Sequence, residues 1–283
     1  HAEKGQINAI LKMKEDTAAG QHEEIILKSF HAGEKGNMVP DKAVAVLSGK
    51  GLETLKEKFM EFGKKENLET AFDLNDYSLT ITLFGKSAHG MEPYKGMNAA
   101  AKMALFLQDI VRTPFVVFIC ECLADDHLGE KLGIAFADEV TGPLTVNPGV
   151  FRYTQKADAT ITLNIRCPVE TPYLRTIEKL NETTQKFGFD IEEIREKKPH
   201  HVPKDEPVIK ILQHAYEEET GQKANLLTTG GATYARFINN GVAYGAVFPG
   251  KENTAHQRNE YIEIDDLCLA AAIYARAIYD LAK

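Results

Sequence analysis

The stretch "YSLTITLFG", residues 77–85, alternates apolar and polar side chains. Successive side chains of a strand point to opposite faces, so Leu79, Ile81 and Leu83 share one face and the threonines share the other. This pattern predicts a strand with one buried face and one polar face. Such strands are typical of antiparallel sheets that bury only one side.

The segments around this strand form two groups that mix strands with helices. The first group has predicted strands at 7–13, 24–30, 42–49 and 77–85, with helices over 52–67 and 97–111. After Pro114, the second has predicted strands at 115–123, 146–154, 158–166 and 189–196, with helices near 125–132 and over 172–187. Each group predicts helices on one face of a mostly antiparallel sheet, an α+β arrangement used twice in succession.

A different pattern follows the proline-rich linker at 196–207. It predicts, in order, a helix (207–219), a strand (224–229), a Gly-Gly turn, a helix (232–238), a buried strand (241–250) and a last helix capped by Asp265. This tail is too poor in strands for a separate domain. We expect it to close a larger α/β sheet. Since the chain starts at His1 without a methionine, we also expect it to be an excerpt from a longer protein.

Composition excludes several classes of protein. The chain has 283 residues, 43% hydrophobic and 26% charged, with a net charge of −8. This acidic balance argues against nucleic-acid binding. The sequence shows neither a membrane-spanning apolar run nor a signal peptide. The four cysteines form no Cys-x-x-Cys pair, so we expect a reducing, cytoplasmic location. If 115–123 is a strand, Cys120 and Cys122 share a face as packed thiols.

Two candidate site residues lie at the ends of predicted strands. His89, in "GKSAHGMEP" (85–93), follows an alternating strand and could meet a ligand from its loop. An ordinary surface histidine is the alternative. Arg166 projects from the polar face of the strand at 158–166, where its guanidinium could pair with a carboxylate. An ordinary surface arginine is equally consistent.

Two further candidates lie in the tail. The Gly230–Gly231 turn in "TTGGATYAR" (228–236) could expose backbone amides to an anion, although it could also be only a tight turn. His256, in "NTAHQRNEY" (253–261), follows a predicted strand end, where ligands bind in α/β sheets. One imidazole cannot hold a catalytic metal, and the neighbouring residues offer no second ligand at a typical spacing.

Taken together and in order, these motifs resemble one family. The segments are "NMVPDKA" (37–43), "LTITLFGKSAHGMEPYKGMNAA" (79–100), "LNIRCP" (163–168), "TTGGATYAR" (228–236) and "FPGKENTAHQRNEY" (248–261). They resemble the PepV-type dipeptidases, members of the metallopeptidase family that also contains aminoacylases, carnosinases and succinyl-diaminopimelate desuccinylase. The resemblance covers the whole chain.

The resemblance implies a fold and a division into domains. It implies an α+β lid of two successive lobes, antiparallel sheets with helices on one face, inserted in an α/β zinc-peptidase catalytic domain of which only the C-terminal part is present. Residues 1–5 would end the N-terminal catalytic segment, 6–198 would form the lid (lobes of about 6–113 and 114–198), and 199–283 would be the C-terminal catalytic segment. The second lobe would occupy the place of a partner's lid, so a monomer is expected and a homodimer is the alternative.

The resemblance also implies a role for each site residue. His256 would be a metal ligand, His89 the oxyanion-stabilising catalytic residue, and Asn37, Arg166, Gly230 and Gly231 the substrate-binding residues. Two divalent metal ions, zinc or else manganese or cobalt, would activate water against a dipeptide with a free C-terminal carboxylate. The family's other metal ligands would lie before His1, so this chain alone is expected to be inactive. The alternatives are an N-acyl amino-acid deacylase of the same family and a non-catalytic lid or interaction module.

Overall fold

The computed structural model describes residues 1–13, 24–245, 247–252, 254 and 259–283. These form two compact units, Gly5–Lys198 and the combination of His1–Lys4 with Pro199–Lys283. The strands are β1 (Ala2–Glu3), β2 (Gly5–Met13), β3 (Ile25–Ala32), β4 (Lys42–Gly49), β5 (Thr70–Leu74), β6 (Leu79–Phe84), β7 (Ala137–Asp138), β8 (Gly142–Pro143), β9 (Thr145–Thr154), β10 (Ala159–Cys167), β11 (Phe189–Lys197), β12 (His200–His201) and β13 (Thr228–Thr229). The α-helices are α1 (Leu52–Lys65), α2 (Ala99–Leu107), α3 (Pro114–Phe118), α4 (Tyr173–Gln185), α5 (Pro207–Thr220) and α6 (Ile264–Leu281).

One eight-stranded sheet organises the unit Gly5–Lys198, with strand order β11-β2-β10-β9-β3-β4-β6-β5. Every neighbouring pair in it is antiparallel. The sheet has two similar halves that meet where β3 pairs with β9. In one half α1 connects β4 to β5 with β6 between them; in the other α4 connects β10 to β11 with β2 between them.

The single sheet differs from the predicted arrangement of one sheet for each lobe. β2 is the first strand of this sheet along the chain and was expected in the lobe before residue 114, but it pairs with β10 and β11. The reason lies in what an alternating pattern specifies: which face of a strand is buried, not which strand lies beside it. Strand neighbours that are distant in sequence therefore could not be read from periodicity.

The core lies on the helix-covered face of this sheet. It is a continuous cluster of buried apolar side chains running from Ile7 to Phe189, to which α1 to α4 contribute. Phe30, Phe59 and Phe118 are among its largest fully buried members. Burying a side chain of this size contributes roughly 1.5–3 kcal/mol. The opposite face carries polar side chains, as the alternation in β6 predicted.

The segment 115–123 is helical, so the predicted strand there was wrong. It consists of α3 followed directly by a π-helix, Ile119–Leu123. The Thr113 hydroxyl accepts a hydrogen bond from the Val116 amide, and Pro114 is the first helical residue, two features that favour a helix start. Because a short, mostly apolar run carries too little periodicity to separate a helix from a strand, its sequence fits either element.

The thiols in this helical segment are packed, although they share no strand face. Cys122 is buried and Cys120 half-buried. Burial raises the pKa of both thiols to about 11, so they stay protonated at neutral pH.

The helix predicted near 125–132 is a set of turns instead. The Asp126 carboxylate accepts hydrogen bonds from the backbone amides of Leu128, Gly129 and Lys131. Aspartate side chains that bond nearby amides in this way compete with helix formation. Asp126 therefore stabilises turns in the segment where a helix was expected.

The unit formed by His1–Lys4 and Pro199–Lys283 contains a three-stranded sheet and two packed helices, α5 and α6. β1 lies between β12, antiparallel, and β13, parallel. The predicted linker thus contributes the strand β12. α5 ends at Gly221 in the left-handed conformation (φ 66°), as predicted. α6 begins one residue before Asp265, after Glu263, so Asp265 is in the first turn and is not the cap.

The other predictions for the tail were mostly wrong. The strand expected at 224–229 is reduced to β13, and the helix expected at 232–238 is a 3₁₀ turn, Tyr234–Phe237. No strand is formed in 241–245 or 247–250. An apolar run becomes a strand only where another strand pairs with it, which composition does not reveal. Among the helices described for this chain, none is long and apolar enough to cross a membrane.

The eight-stranded sheet has two edges with different features. β5 at one edge has five residues, and its half-exposed Phe72 lies under the ammonium group of Lys56, 5.5 Å from the ring centroid. β11 at the other edge is rich in charged residues and is interrupted by a bulge between Ile191 and Glu193.

Candidate substrate-binding site

Two loops over the polar face of the sheet bring Asn37 and His89 together. The Gly90 amide donates to the Asn37 carbonyl (2.7 Å), and the Val39 amide donates to the Ala88 carbonyl (2.9 Å). Met38 and His89 form an antiparallel bridge between these bonds. Both predicted residues are exposed. The structure therefore places them side by side on paired backbone segments.

The His89 imidazole is oriented by its own loop. Its Nδ1 atom lies 3.1 Å from the Met91 backbone nitrogen and accepts that N–H. A neutral imidazole that accepts at Nδ1 carries its proton on Nε2. His89 thus presents an N–H donor at Nε2, which is the form needed to stabilise a developing negative charge on oxygen.

A small ionic group stands next to His89. The Glu92 amide donates to the His89 carbonyl, and the Glu92 carboxylate pairs with Lys95 and accepts from the Tyr94 hydroxyl. The Lys95 hydrogen bond is the main reason that the pKa of Glu92 lies below its usual value, and the Tyr94 hydrogen bond adds to the effect. The carboxylate is therefore charged at neutral pH and already satisfied by its neighbours.

The strand β9 holds the Asn37 loop in place. The fully buried Asn147 side chain donates from Nδ2 to the carbonyls of Gly36 (2.7 Å) and Met38 (3.0 Å). Gly149 lies so close to this loop that a Cβ there would be 2.3 Å from the Gly36 carbonyl oxygen. A glycine is needed at such an approach.

Arg166 lies on β10, on the polar face, and is buried, with 3% of its surface exposed. The alternative of an ordinary surface arginine was therefore wrong. Its Nε donates to Asn164 Oδ1 (2.8 Å), and Asn164 Nδ2 donates to Asn8 Oδ1 (2.6 Å). Asn164 in turn lies opposite Asn147 in the β10–β9 register. Arg166 and Asn164 thus lie on the strand next to β9, which carries the Asn147 side chain that holds the Asn37 loop.

A cavity of about 480 Å³ opens beside these loops. His31, Met38, Ser87 and Arg152 are among its lining residues. The Arg152 guanidinium donates to the backbone carbonyls of Ala32 and Gly33. Burial lowers the pKa of His31, and the charge of Arg152 lowers it further, so His31 is neutral at pH 7.

The glycine turn predicted to bind an anion lies in the other unit. The Gly231 amide donates to the Thr229 hydroxyl. A few residues later the Thr233 amide donates to the carboxylate of Glu3, which also pairs with Arg236. The segment after β13 thus does hold a carboxylate, and that carboxylate belongs to the chain itself.

The predicted metal ligand His256 lies outside the described residues. Within the ranges that the structure describes, no group of three or more His, Cys, Asp or Glu side chains could hold a metal ion. These residues therefore do not by themselves make up a metal centre.

Sequence reasoning missed three asparagines that support the site, of which Asn147 and Asn164 are buried. They are Asn8, Asn147 and Asn164, on neighbouring strands of the sheet. The available signal was their position, because each is an amide side chain inside a predicted strand. A buried amide of this kind must be hydrogen-bonded, which points to a network rather than a solvated face.

Residues 13–280 of the chain match the peptidase family M20/M25/M40, so the protein belongs to that family. This match confirms the family predicted from the motifs.

The similar proteins include enzymes named as dipeptidases. Over 290 aligned positions the chain is 39% identical to "Putative dipeptidase YtjP" of Bacillus subtilis (strain 168), which covers 100% of this chain and 61% of that protein. It is 33% identical over 289 positions to "Beta-Ala-Xaa dipeptidase" of Lactobacillus delbrueckii subsp. lactis, covering 100% of this chain and 60% of that protein. The chain thus spans about 60% of the length of these relatives.

Solved structures of the family align less closely. The M20 family metallo-carboxypeptidase Sso-CP2 of Sulfolobus solfataricus aligns at 15% identity with a TM-score of 0.45, over 99% of this chain and 59% of that one. The aminoacylhistidine dipeptidase of Vibrio alginolyticus aligns at 12% identity with a TM-score of 0.40, over 80% and 51%.

Proposed function

We propose that this protein is a dipeptidase that hydrolyses dipeptides with a free C-terminal carboxylate. The observation that carries the proposal is Arg166, a buried arginine oriented by Asn164 on the sheet face below the loops of Asn37 and His89. A desolvated guanidinium with a fixed plane suits a carboxylate, because two parallel N–H···O bonds match its geometry. The dipeptidase names of the relatives give the same substrate class.

Three residues of the chain would have different roles in substrate binding and catalysis. Arg166 would bind the substrate carboxylate and thereby set the length of peptide that fits. Asn37 would hydrogen-bond the peptide. His89 would donate its Nε2 proton towards the carbonyl oxygen as it gains negative charge, since its Nδ1 is engaged by Met91.

We further propose that the unit Gly5–Lys198 acts as a substrate-binding lid, and that His1–Lys4 with Pro199–Lys283 belongs to the catalytic domain. Gly230 and Gly231 would contribute to carboxylate binding from that domain. As a separate proposal, which rests on the sequence resemblance, the whole protein would bind two divalent metal ions with His256 as one ligand. Zinc is favoured over manganese and cobalt. A cytoplasmic monomer is proposed for the whole protein.

The test is hydrolysis by the full-length native protein supplied with zinc, manganese or cobalt. The substrates are a panel of dipeptides, the same dipeptides with an amidated C-terminus, and N-acetyl and N-succinyl amino acids. We expect dipeptides to be cleaved and their amides to be poor substrates. Preference for the acylated amino acids would favour the deacylase alternative, and no hydrolysis of any substrate would favour the non-catalytic module.

Substitution of Arg166 tests the observation that carries the proposal. Arg166→Lys keeps the charge but loses the two-pronged geometry, so we expect KM for dipeptides to rise by roughly tenfold to a hundredfold, the size of one or two lost hydrogen bonds to a charged group. The matched control is Arg195→Lys, on the exposed part of β11, which should leave KM unchanged. Equal KM values for both variants would contradict the role of Arg166.

The expectation that the 283-residue chain is inactive by itself stays a prediction. Measurable zinc-dependent dipeptide hydrolysis by that chain would contradict it.

A further inference from the structure

We propose that Asn147 is a positioning residue of the substrate site: its buried side-chain amide fixes the backbone on both sides of Asn37 and, through that backbone, the loop of His89. This inference rests on the proposed function. Asn147 Nδ2 donates one hydrogen to the carbonyl before Asn37 and one to the carbonyl after it. Asn37 is therefore held from both sides by a single amide group.

Only one orientation of the Asn147 amide gives both Nδ2 hydrogens an acceptor. Among the described residues its Oδ1 atom has no hydrogen-bond partner, while both Nδ2 hydrogens are used. Rotating the amide by half a turn would press Oδ1 against two carbonyl oxygens. The side chain, fully buried on β9, thus has one stable position, and the two carbonyls are fixed with it.

Backbone contacts connect the Asn37 segment, which Asn147 holds, to the loop of His89. The Asn37 carbonyl accepts from the Gly90 amide at 2.7 Å. A Cβ at Gly90 would lie 3.0 Å from the Asn37 carbonyl and 3.1 Å from Asn147 Nδ2, so Gly90 packs against both residues. Displacing the Asn37 backbone must therefore also displace the residue that follows His89.

Two variants remove the donor in different ways. Asn147→Leu keeps the same branching of side-chain heavy atoms but has no donor, and Asn147→Asp keeps the shape but places a carboxylate oxygen against the two carbonyls. The control is Thr184→Val, which removes a hydrogen bond from another fully buried side chain, on α4. In the full-length native protein we expect kcat/KM for dipeptides to fall about a hundredfold in either Asn147 variant, the loss typical of a misplaced binding group. Thr184→Val should change it less than about threefold.

A double-mutant cycle separates positioning from general destabilisation. If Asn147 acts through Asn37, then Asn37→Ala combined with Asn147→Leu should be no more than about threefold worse than the poorer single variant. If the losses in kcat/KM of the two single variants multiplied in the double variant, the inference would be overturned, because the effects of independent substitutions add in free energy.

Hydrogen exchange provides a readout that does not need activity. In Asn147→Leu we expect the amides of Gly90 and Val39 to exchange at least about tenfold faster, with no such change in Thr184→Val. Unchanged exchange at both amides would overturn the inference. If the native protein hydrolyses no dipeptide, the proposed function fails, and the exchange measurement still decides whether Asn147 fixes these loops.

Discussion

At the scale of single residues, the site depends on buried polar groups more than on exposed ones. Asn37 and His89 are exposed, but the hydrogen bonds that set their positions come from a buried asparagine and from backbone amides. Arg166 is likewise fixed through Asn164. A buried polar group is costly unless it is satisfied, so each of these contacts restricts the site to one geometry.

The buried carboxylate of Glu3 makes the stability of its unit depend on pH. Burial would raise its pKa, but hydrogen bonds from Thr233 and Arg236 outweigh that effect, so the pKa of Glu3 lies below its usual value. A carboxyl group with a lowered folded pKa stabilises the fold fully above its unfolded pKa. That contribution is lost as the pH falls through the folded value.

Replacing Glu3 by glutamine should therefore have an effect that disappears in acid. At pH 7 we expect Glu3→Gln to lower the free energy of local unfolding by about 3 kcal/mol, because Arg236 loses its buried partner. The measurement is exchange of the Lys4 amide, which donates to the Thr229 carbonyl, corrected for intrinsic rates between pH 3 and 7. A difference between variant and native protein that is as large at pH 3 as at pH 7 would contradict this account.

At the scale of elements, the helical segment after Thr113 shows how a cap can decide between helix and strand. The residues after the cap are mostly apolar and show no clear periodicity. The helix-start signal from Thr113 and Pro114 is therefore the main local feature that favours a helix over a strand. The cap hydroxyl and the Val116 amide that donates to it are both buried.

Removing this cap should weaken the unit Gly5–Lys198. We expect Thr113→Ala to lower its free energy of unfolding by about 1 kcal/mol, the usual cost of a lost N-cap. Thr113→Ser keeps the hydroxyl and is the matched control, with a smaller loss. Urea denaturation followed by circular dichroism measures both, and equal losses would show that the hydroxyl does not act as a cap.

The sequence predicted the alternating strands and amphipathic helices of the unit Gly5–Lys198 well. The range predicted for β4 matches its observed bounds, and α1 and α4 deviate by a few residues. The sequence-based prediction failed at 115–123, where the apolar residues show no clear periodicity, and it missed β5. It also failed in the tail, where strand pairing decides whether an apolar run becomes a strand. For the site, motifs led to Asn37, His89 and Arg166, but not to Asn147, whose importance depends on contacts with residues more than 100 positions away.

At the scale of the whole molecule, the two halves of the large sheet are joined at β3 and β9. Phe30, fully buried on β3, pairs across this junction with Tyr153 and packs against Phe115 and Phe151. The junction is therefore both a row of backbone hydrogen bonds and part of the aromatic core. Its loss should affect both halves together.

Phe30→Ala should destabilise the whole unit Gly5–Lys198 by about 3–5 kcal/mol, the cost of deleting a buried aromatic ring. Phe72→Ala, on the half-exposed edge strand β5, is the control and should cost well under half of that. Urea denaturation gives the two values. Amide exchange should accelerate on both sides of the junction in Phe30→Ala, and acceleration confined to β3 and β4 would contradict a shared core.

The edge strands of the eight-stranded sheet affect the tendency of the protein to aggregate at high concentration. An open edge strand can act as a template on which a further chain adds, the first step towards fibrils. Here β5 offers only five residues, and β11 is interrupted by a bulge and carries many charged side chains, features that disfavour the addition of a further strand. The two edge strands therefore make edge-to-edge aggregation of the eight-stranded sheet less favourable.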